Sequence, residues 1–257
     1  MHKPVSYPRT ALDMFLVQGT WTIWYLAIVF IINQASTFVF GNEMEPFYSS
    51  GYVSTNVYML IIGIIAIYFM PYYVGNGITR KNYFIGGVIA GIALSIVIPI
   101  AVYIISLAQK LIVKWFAAAE ISGRALDNID IDVDGNIVGE LVQAVILTPF
   151  VSPDSNLIQS LALFAFHIFV FYMIGWLIGS AFYRLGVIGG LVSIAVSIAL
   201  LFVKDSMIRL SLGLPLFQNF SALGQIPSSL AIPIAFAVVL VLIVLIRLLT
   251  KRAPIKM

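Results

Sequence analysis

Six long runs of apolar residues dominate this chain, and short polar stretches separate them. The runs cover about residues 20–40, 56–73, 83–109, 157–183, 186–203 and 229–249. They are apolar on every face, without the polar stripe of a surface helix, and a helix needs about 20 such residues to cross a bilayer. The pattern therefore predicts six transmembrane helices. Residues 9–18 differ, because Arg9 and Asp13 stand one helical turn apart among Leu12, Phe15 and Leu16. That predicts an interfacial helix ahead of the first span. The following run is too long for the apolar core of a signal peptide and has no small-residue cleavage site.

Within the runs, a few polar or conformationally special residues stand out. Trp21, Trp24 and Tyr25 form an aromatic belt where the first span begins, whereas Asn33 and Gln34 lie deeper. An amide at that depth needs a partner, so the pair is either a polar step on a translocation path or an interhelical hydrogen-bonding group. Pro71 weakens the end of the second span and Pro99 should kink the third. Gly87 and Gly91, four apart, favour close helix packing. His167 falls within the fourth span with no carboxylate in any span to relay protons with, so an interhelical hydrogen bond is its expected role. The fourth span ends in Gly175-Trp-Leu-Ile-Gly179 and Arg184, with Gly186, Gly189 and Gly190 just beyond, an arrangement expected to pack spans four and five tightly around Arg184.

The polar punctuation is equally informative. Residues 41–55 carry Glu43, Glu45 and Pro46 and read as a short loop. Residues 74–87 form a basic connection: Gly75, Asn76 and Gly77 make a turn, Thr79 can cap a helix, and Arg80 and Lys81 place two cations outside the bilayer, either to meet a membrane surface or acidic partner or as an ordinary positive-inside connection. Residues 110–156 form the one sizeable polar segment, with seven of the eleven acidic residues, and read as an extramembrane insertion. Within it, 115–126 suggests a surface helix, and 129–138 alternates apolar with polar around Asp134-Gly135, as a hairpin does. Asp130, Asp132, Asp134 and Gly135 also match the first half of a calcium loop, but the twelfth place is Leu141 rather than a bidentate glutamate, so no metal site is expected. Residues 204–227 are too apolar for a solvent loop and are expected to dip into the membrane edge, broken at Gly213-Leu-Pro215.

Composition agrees with this architecture. The chain is 61% hydrophobic and 10% charged, with a mean hydropathy of +1.04, so an all-α integral membrane protein is expected. The net charge of +3 does not indicate nucleic acid, because the cations cluster at the ends of apolar runs without interleaved aromatics. There is no cysteine, which excludes disulfides, thiolate metal sites and cysteine nucleophiles. Six spans put both termini on one side. Lys3, Arg9, Arg80, Lys81, Arg184, Arg247, Lys251, Arg252 and Lys256 are nine of the fourteen cations and share that side with Asp13 alone, which marks it as cytoplasmic. Lys110, Lys114, Arg124, Lys204 and Arg209 run against the rule. The Ile-Gly-Gly shared by residues 85–87 and 188–190 is too short to be a repeat.

The basic connection 76–84, Asn-Gly-Ile-Thr-Arg-Lys-Asn-Tyr-Phe, and the close of span four, Gly-Trp-Leu-Ile-Gly-Ser-Ala-Phe-Tyr-Arg184, carry a resemblance. With the interfacial helix and six spans, they resemble the permease subunits of bacterial type 2 ABC exporters, over nearly the whole chain. The resemblance implies a single transmembrane permease domain over residues 1–257, with the extracellular insertion at about 110–156 as a departure from the minimal pattern. It implies that Gly77, Ile78, Thr79, Arg80, Lys81, Asn82 and Tyr83 form the coupling element for a nucleotide-binding ATPase subunit, with Arg184 as a second cytoplasmic contact. It also implies a second permease chain, the same or homologous, and a re-entrant segment between spans five and six.

No Gly-x-x-x-x-Gly-Lys-Ser/Thr motif occurs, so ATP and Mg belong to the partner and no cofactor is expected on this chain. The expectation is a multi-pass cell-membrane exporter, not an enzyme, moving an apolar or amphipathic substrate such as a hydrophobic peptide, lipid-like molecule or drug. Little charge within the spans supports that substrate class. An intramembrane enzyme lacks its constellation here: there is no His-Glu-x-x-His, no Gly-x-Ser-x-Gly and no paired carboxylate in a span. An ion-coupled carrier or channel is the alternative.

Overall fold

The computed structural model describes residues 7–40, 46–116, 148–216 and 223–255. They form α1 (Tyr7–Phe40), α2 (Phe47–Ala66), α3 (Phe69–Gly75), α4 (Arg80–Phe116), α5 (Leu157–Leu212) and α6 (Ser228–Lys251), with no strand among the described residues. Five helical stretches are long and apolar enough to cross a membrane, with α2 and α3 counted as one. Large apolar side chains such as Trp24, Ile28, Ile31, Ile188 and Leu240 are exposed on the outside of the bundle, as suits helices facing lipid. The acidic segment's surface helix, hairpin and half calcium loop fall on 117–147 for the most part and lie outside the described residues.

α5 is the organising element. At about 1.5 Å per residue, 56 residues in one straight helix would span about 84 Å, nearly three hydrocarbon thicknesses. It does not run straight. Gly186 has φ 74° and ψ −162°, a backbone region that only glycine occupies comfortably. Lys204 reaches His167, 37 positions earlier, with a 2.9 Å hydrogen bond. The chain therefore folds back at Gly186 into two antiparallel arms, 157–185 and 187–212. A side chain on Gly190 would strike the Phe182 ring, which is why position 190 is glycine.

The first arm packs against α2 with backbone nearly touching backbone. A Cβ on Gly175 would lie 2.0 Å from the Leu60 carbonyl oxygen, one on Gly179 2.4 Å from that of Ile64, and one on Gly63 2.1 Å from that of Tyr172. The Gly175/Gly179 pair thus serves the crossing with α2, not the packing of two successive spans expected from its neighbourhood. Gly87 and Gly91 do serve packing: they leave room for the rings of Trp176 and Tyr172.

Three boundaries differ from expectation. α1 is continuous from Tyr7, so no separate interfacial helix precedes the span. An interior glycine costs only about 1 kcal/mol, and Gly19 has neither proline nor a positive φ beside it. α2 starts at Phe47, with Pro46 at its N-cap. The second arm of α5 continues through Leu212 instead of ending near Val203, stopped by Gly213 in the left-handed region, φ 70°. The break at Gly213 falls where expected, but Lys204–Arg209 is buried within the second arm of α5 and does not begin a separate membrane-dipping segment. α4 runs through Pro99 as one helix.

Candidate functional site

Two polar constructions lie at opposite ends of the bundle. The first is the connection between α3 and α4, built from a proline outward. Pro71 cannot donate a backbone hydrogen bond and its ring crowds the carbonyl four residues back, and the helix breaks there, at Ile67–Tyr68. At the break Met70 N–H turns to the Ile67 carbonyl (3.0 Å), leaving its ordinary acceptor, the Ala66 carbonyl, to accept the Tyr83 hydroxyl at 2.6 Å. At the far end of α3, Ile78 N–H donates to Tyr73 O (3.0 Å) and Gly77 N–H to Val74 O (3.1 Å), with Gly77 at φ 83°. This is a Schellman cap, in which the residue after the glycine turns its apolar side chain inward. Ile78 does so and is buried. Thr79 then caps α4, its hydroxyl accepting from Asn82 N–H at 3.1 Å.

The predicted coupling residues therefore divide. Ile78 and Tyr83 are buried in the chain's own core, Tyr83 with its ring edge against Trp176, so neither is free to fill a notch in a partner as a docking residue would. Gly77, Thr79 and Lys81 are exposed, and Arg80 and Asn82 are half-buried. The Arg80 carbonyl accepts Arg247 at 3.3 Å, and that guanidinium lies over the Phe84 ring. Arg184, half-buried, donates to the Leu248 and Leu249 carbonyls near the C-terminus of α6, where a cation is favoured by the helix dipole. At this same end the Tyr73 hydroxyl donates to Asp13 at 2.7 Å. Both Arg247, on the Arg80 carbonyl, and Arg184, on the Leu248 and Leu249 carbonyls, thus gather at the C-terminal end of α6.

Asn33 and Gln34 lie toward the opposite end and are half-buried. Gln109, fully buried on α4, donates to both at 2.9 Å and accepts from the Phe47 backbone N–H at 2.7 Å. Asn33 also donates to Ser50 at 2.8 Å. One glutamine so joins α1, α2 and α4. Nearby, Asp154 meets Lys110 at 3.3 Å in an exposed pair.

The second construction was missed by sequence reasoning. Lys204 and Asp205 have no exposed surface and Arg209 has little. The Lys204 ammonium reaches Asp205 at 3.3 Å and His167 Nδ1 at 2.9 Å; Arg209 Nε reaches the other Asp205 oxygen at 3.0 Å. His167 Nε2 meets the Pro149 carbonyl at 3.2 Å, which Tyr52 also engages. His167 thus makes the expected inter-segment hydrogen bonds, but the premise that no carboxylate lies in a span is wrong, because Asp205 is one bond away through Lys204. The signal available was the i, i+4 pair Asp205/Arg209 inside an otherwise apolar stretch. Beside this cluster an open, largely apolar cavity of about 240 Å³ separates the two arms of α5 and α6, lined by Leu163, Phe166, Ile208, Leu212, Ile232 and Phe236 among others. Among the described residues no three His, Asp or Glu side chains converge to hold a metal.

The helices are compatible with a multi-pass membrane protein. No family model, curated protein or solved structure matches the chain.

Proposed function

We propose that this chain is the transmembrane permease subunit of an ATP-driven exporter of the type 2 ABC class, crossing the cell membrane six times with both termini cytoplasmic. The fold-back at Gly186 supports six passes, since it turns the longest apolar helix into two. It also removes an objection to the orientation: Lys204 and Arg209 are paired with buried Asp205 and so are not loop cations of the outer face.

The observation that carries the reading is the way the Thr79–Lys81 ridge, with Thr79 and Lys81 exposed and Arg80 half-buried, is anchored. Ile78 and Tyr83, on either side, are set in the core against α2, α3 and α5. A push on the ridge by a nucleotide-binding subunit carrying ATP and Mg would be passed to those helices as a lever, rather than absorbed by a loose loop. Arg80, Lys81 and Arg184 supply the cationic contact for acidic residues of that subunit, and a second permease chain completes the transporter. The apolar cavity beside α6 favours an apolar or amphipathic cargo, which the supposed lack of charge in the spans no longer does.

Charge reversal, Arg80→Glu with Lys81→Glu, tests the reading. Like charges across a contact cost several kcal/mol, so the variant should insert normally and lose its ATPase partner and substrate-stimulated hydrolysis. Normal partnership in a correctly inserted variant would remove this loop as the coupling element. The buried Lys204–Asp205–His167 cluster favours a second reading, an ion-coupled carrier or channel, because ionisable groups inside a membrane bundle are costly and commonly functional. Transport by a carrier would follow an ion gradient and need no ATPase.

A further inference from the structure

The cluster around His167 fixes hydrogen positions as well as heavy atoms. The Pro149 carbonyl can only accept, so His167 Nε2 carries the hydrogen, and Nδ1 is left as the acceptor for Lys204. Arg209, always charged, offsets Asp205. With His167 neutral, the charge on Lys204 is therefore the one in excess: among the described residues the cluster carries +1 with an ammonium at Lys204 and zero with an amine. Among the described residues, these other groups face the pair. The Phe171 ring lies 5.7 Å from Nζ. From α2 come the Tyr52 hydroxyl, on the same Pro149 carbonyl, and Tyr48 beside it, both rings packing on Phe150. From α6 none arrives, since Arg247 and Lys251 lie at the other end of that helix.

We propose that the His167–Lys204 pair is a proton-binding site, and that a second proton taken up there unlatches the two arms of α5 at their outer ends. One proton can pass between Nζ and Nδ1 along a 2.9 Å hydrogen bond with no heavy atom displaced. A second leaves two donors and no acceptor facing each other, two cations with Asp205 already shared with Arg209. The bond that ties one arm to the other is then replaced by a repulsion. Phe166 and Ile208, adjacent in sequence to His167 and Arg209, line the cavity between the same arms, so parting them widens that cavity. The device acts whether ATP or an ion gradient drives the cycle.

The absence of cysteine makes the test clean. Ile158→Cys and Leu214→Cys place spin labels at the outer ends of the two arms, in purified protein reconstituted in lipid nanodiscs. Between pH 8 and pH 4.5 the label-to-label distance should lengthen, and it should return on going back to pH 8. His167→Gln keeps an acceptor for Lys204 and a donor for Pro149 but takes no proton, so its distance should stay constant; Lys204→Gln, lacking the second cation, should behave likewise. A distance in the otherwise native chain that does not change with pH overturns the proposal without reference to either variant, and so does a His167→Gln chain that opens as the native one does.

Discussion

Gly175→Ala puts the contact between α2 and the first arm of α5 to a quantitative test. The new methyl would lie 2.0 Å from the Leu60 carbonyl oxygen and 2.9 Å from the Ile64 nitrogen. Carbon–oxygen contacts settle at roughly 3.3 Å or more, so the helices must part by about 1.3 Å. Backbone cannot rotate out of the way as a side chain can. The same displacement weakens the neighbouring approaches of Gly63 to Tyr172 and Gly179 to Ile64. Three close Cα–H···O contacts contribute roughly 0.5–1 kcal/mol each, and a gap of 0.5–1 Å already forfeits about a quarter to a half of each dispersion well along the seam. The expected loss is about 3 kcal/mol, about two orders of magnitude in the unfolding equilibrium. Gly19→Ala is the control: nothing lies within 4 Å of its Cβ, and alanine in a helix interior is better than glycine by up to about 1 kcal/mol. Unfolding of both variants in the same lipid or detergent, followed by steric trapping or thermal melting, should give a strongly destabilised Gly175→Ala and an unharmed Gly19→Ala. Equal stability of the two would refute the close crossing.

Asp205→Ala leaves two buried cations without their carboxylate and should destabilise by about 3–5 kcal/mol in the same melt, whereas Asp154→Ala, at an exposed pair, should change it by less than about 1 kcal/mol. Gln109→Ala removes the hydrogen bonds to Asn33, Gln34 and Phe47; a cost of about 1–3 kcal/mol in the melt is expected from the groups it orphans. Single cysteines at Asp134 and Lys251 should react with an impermeant reagent from opposite sides of the membrane, and labelling from one side only would end the six-pass arrangement.

The apolar runs located the helices because a span apolar on all faces leaves few other structures open to it. They located Gly213 as a break and Gly87/Gly91 as packing positions for the same local reason. What the runs concealed were consequences of contact. Lys204 and Asp205 read as the start of a segment dipping into the membrane edge because charge normally ends a span; the i, i+4 spacing already offered Arg209 to Asp205, but only the fold-back at Gly186 reveals that His167 is there for Lys204. Ile78 and Tyr83 read as surface because they sit in a polar connection. The Schellman cap and the Ala66 carbonyl freed at the Ile67–Tyr68 break turn both inward, and neither effect shows in a hydropathy pattern. The Gly175/Gly179 pair announced a close crossing but not with which helix, since glycine spacing carries no partner information.

The claim at the centre of this account is that the ridge beside Lys81 meets an ATPase, and a photo-crosslinking residue substituted at Lys81 in cells measures it most directly. The account predicts an adduct to a polypeptide that carries a Gly-x-x-x-x-Gly-Lys-Ser/Thr motif and no spans of its own, lost when Arg80→Glu is added. A chain that inserts normally and yields only lipid adducts at Lys81, while retaining transport driven by an ion gradient, would contradict it.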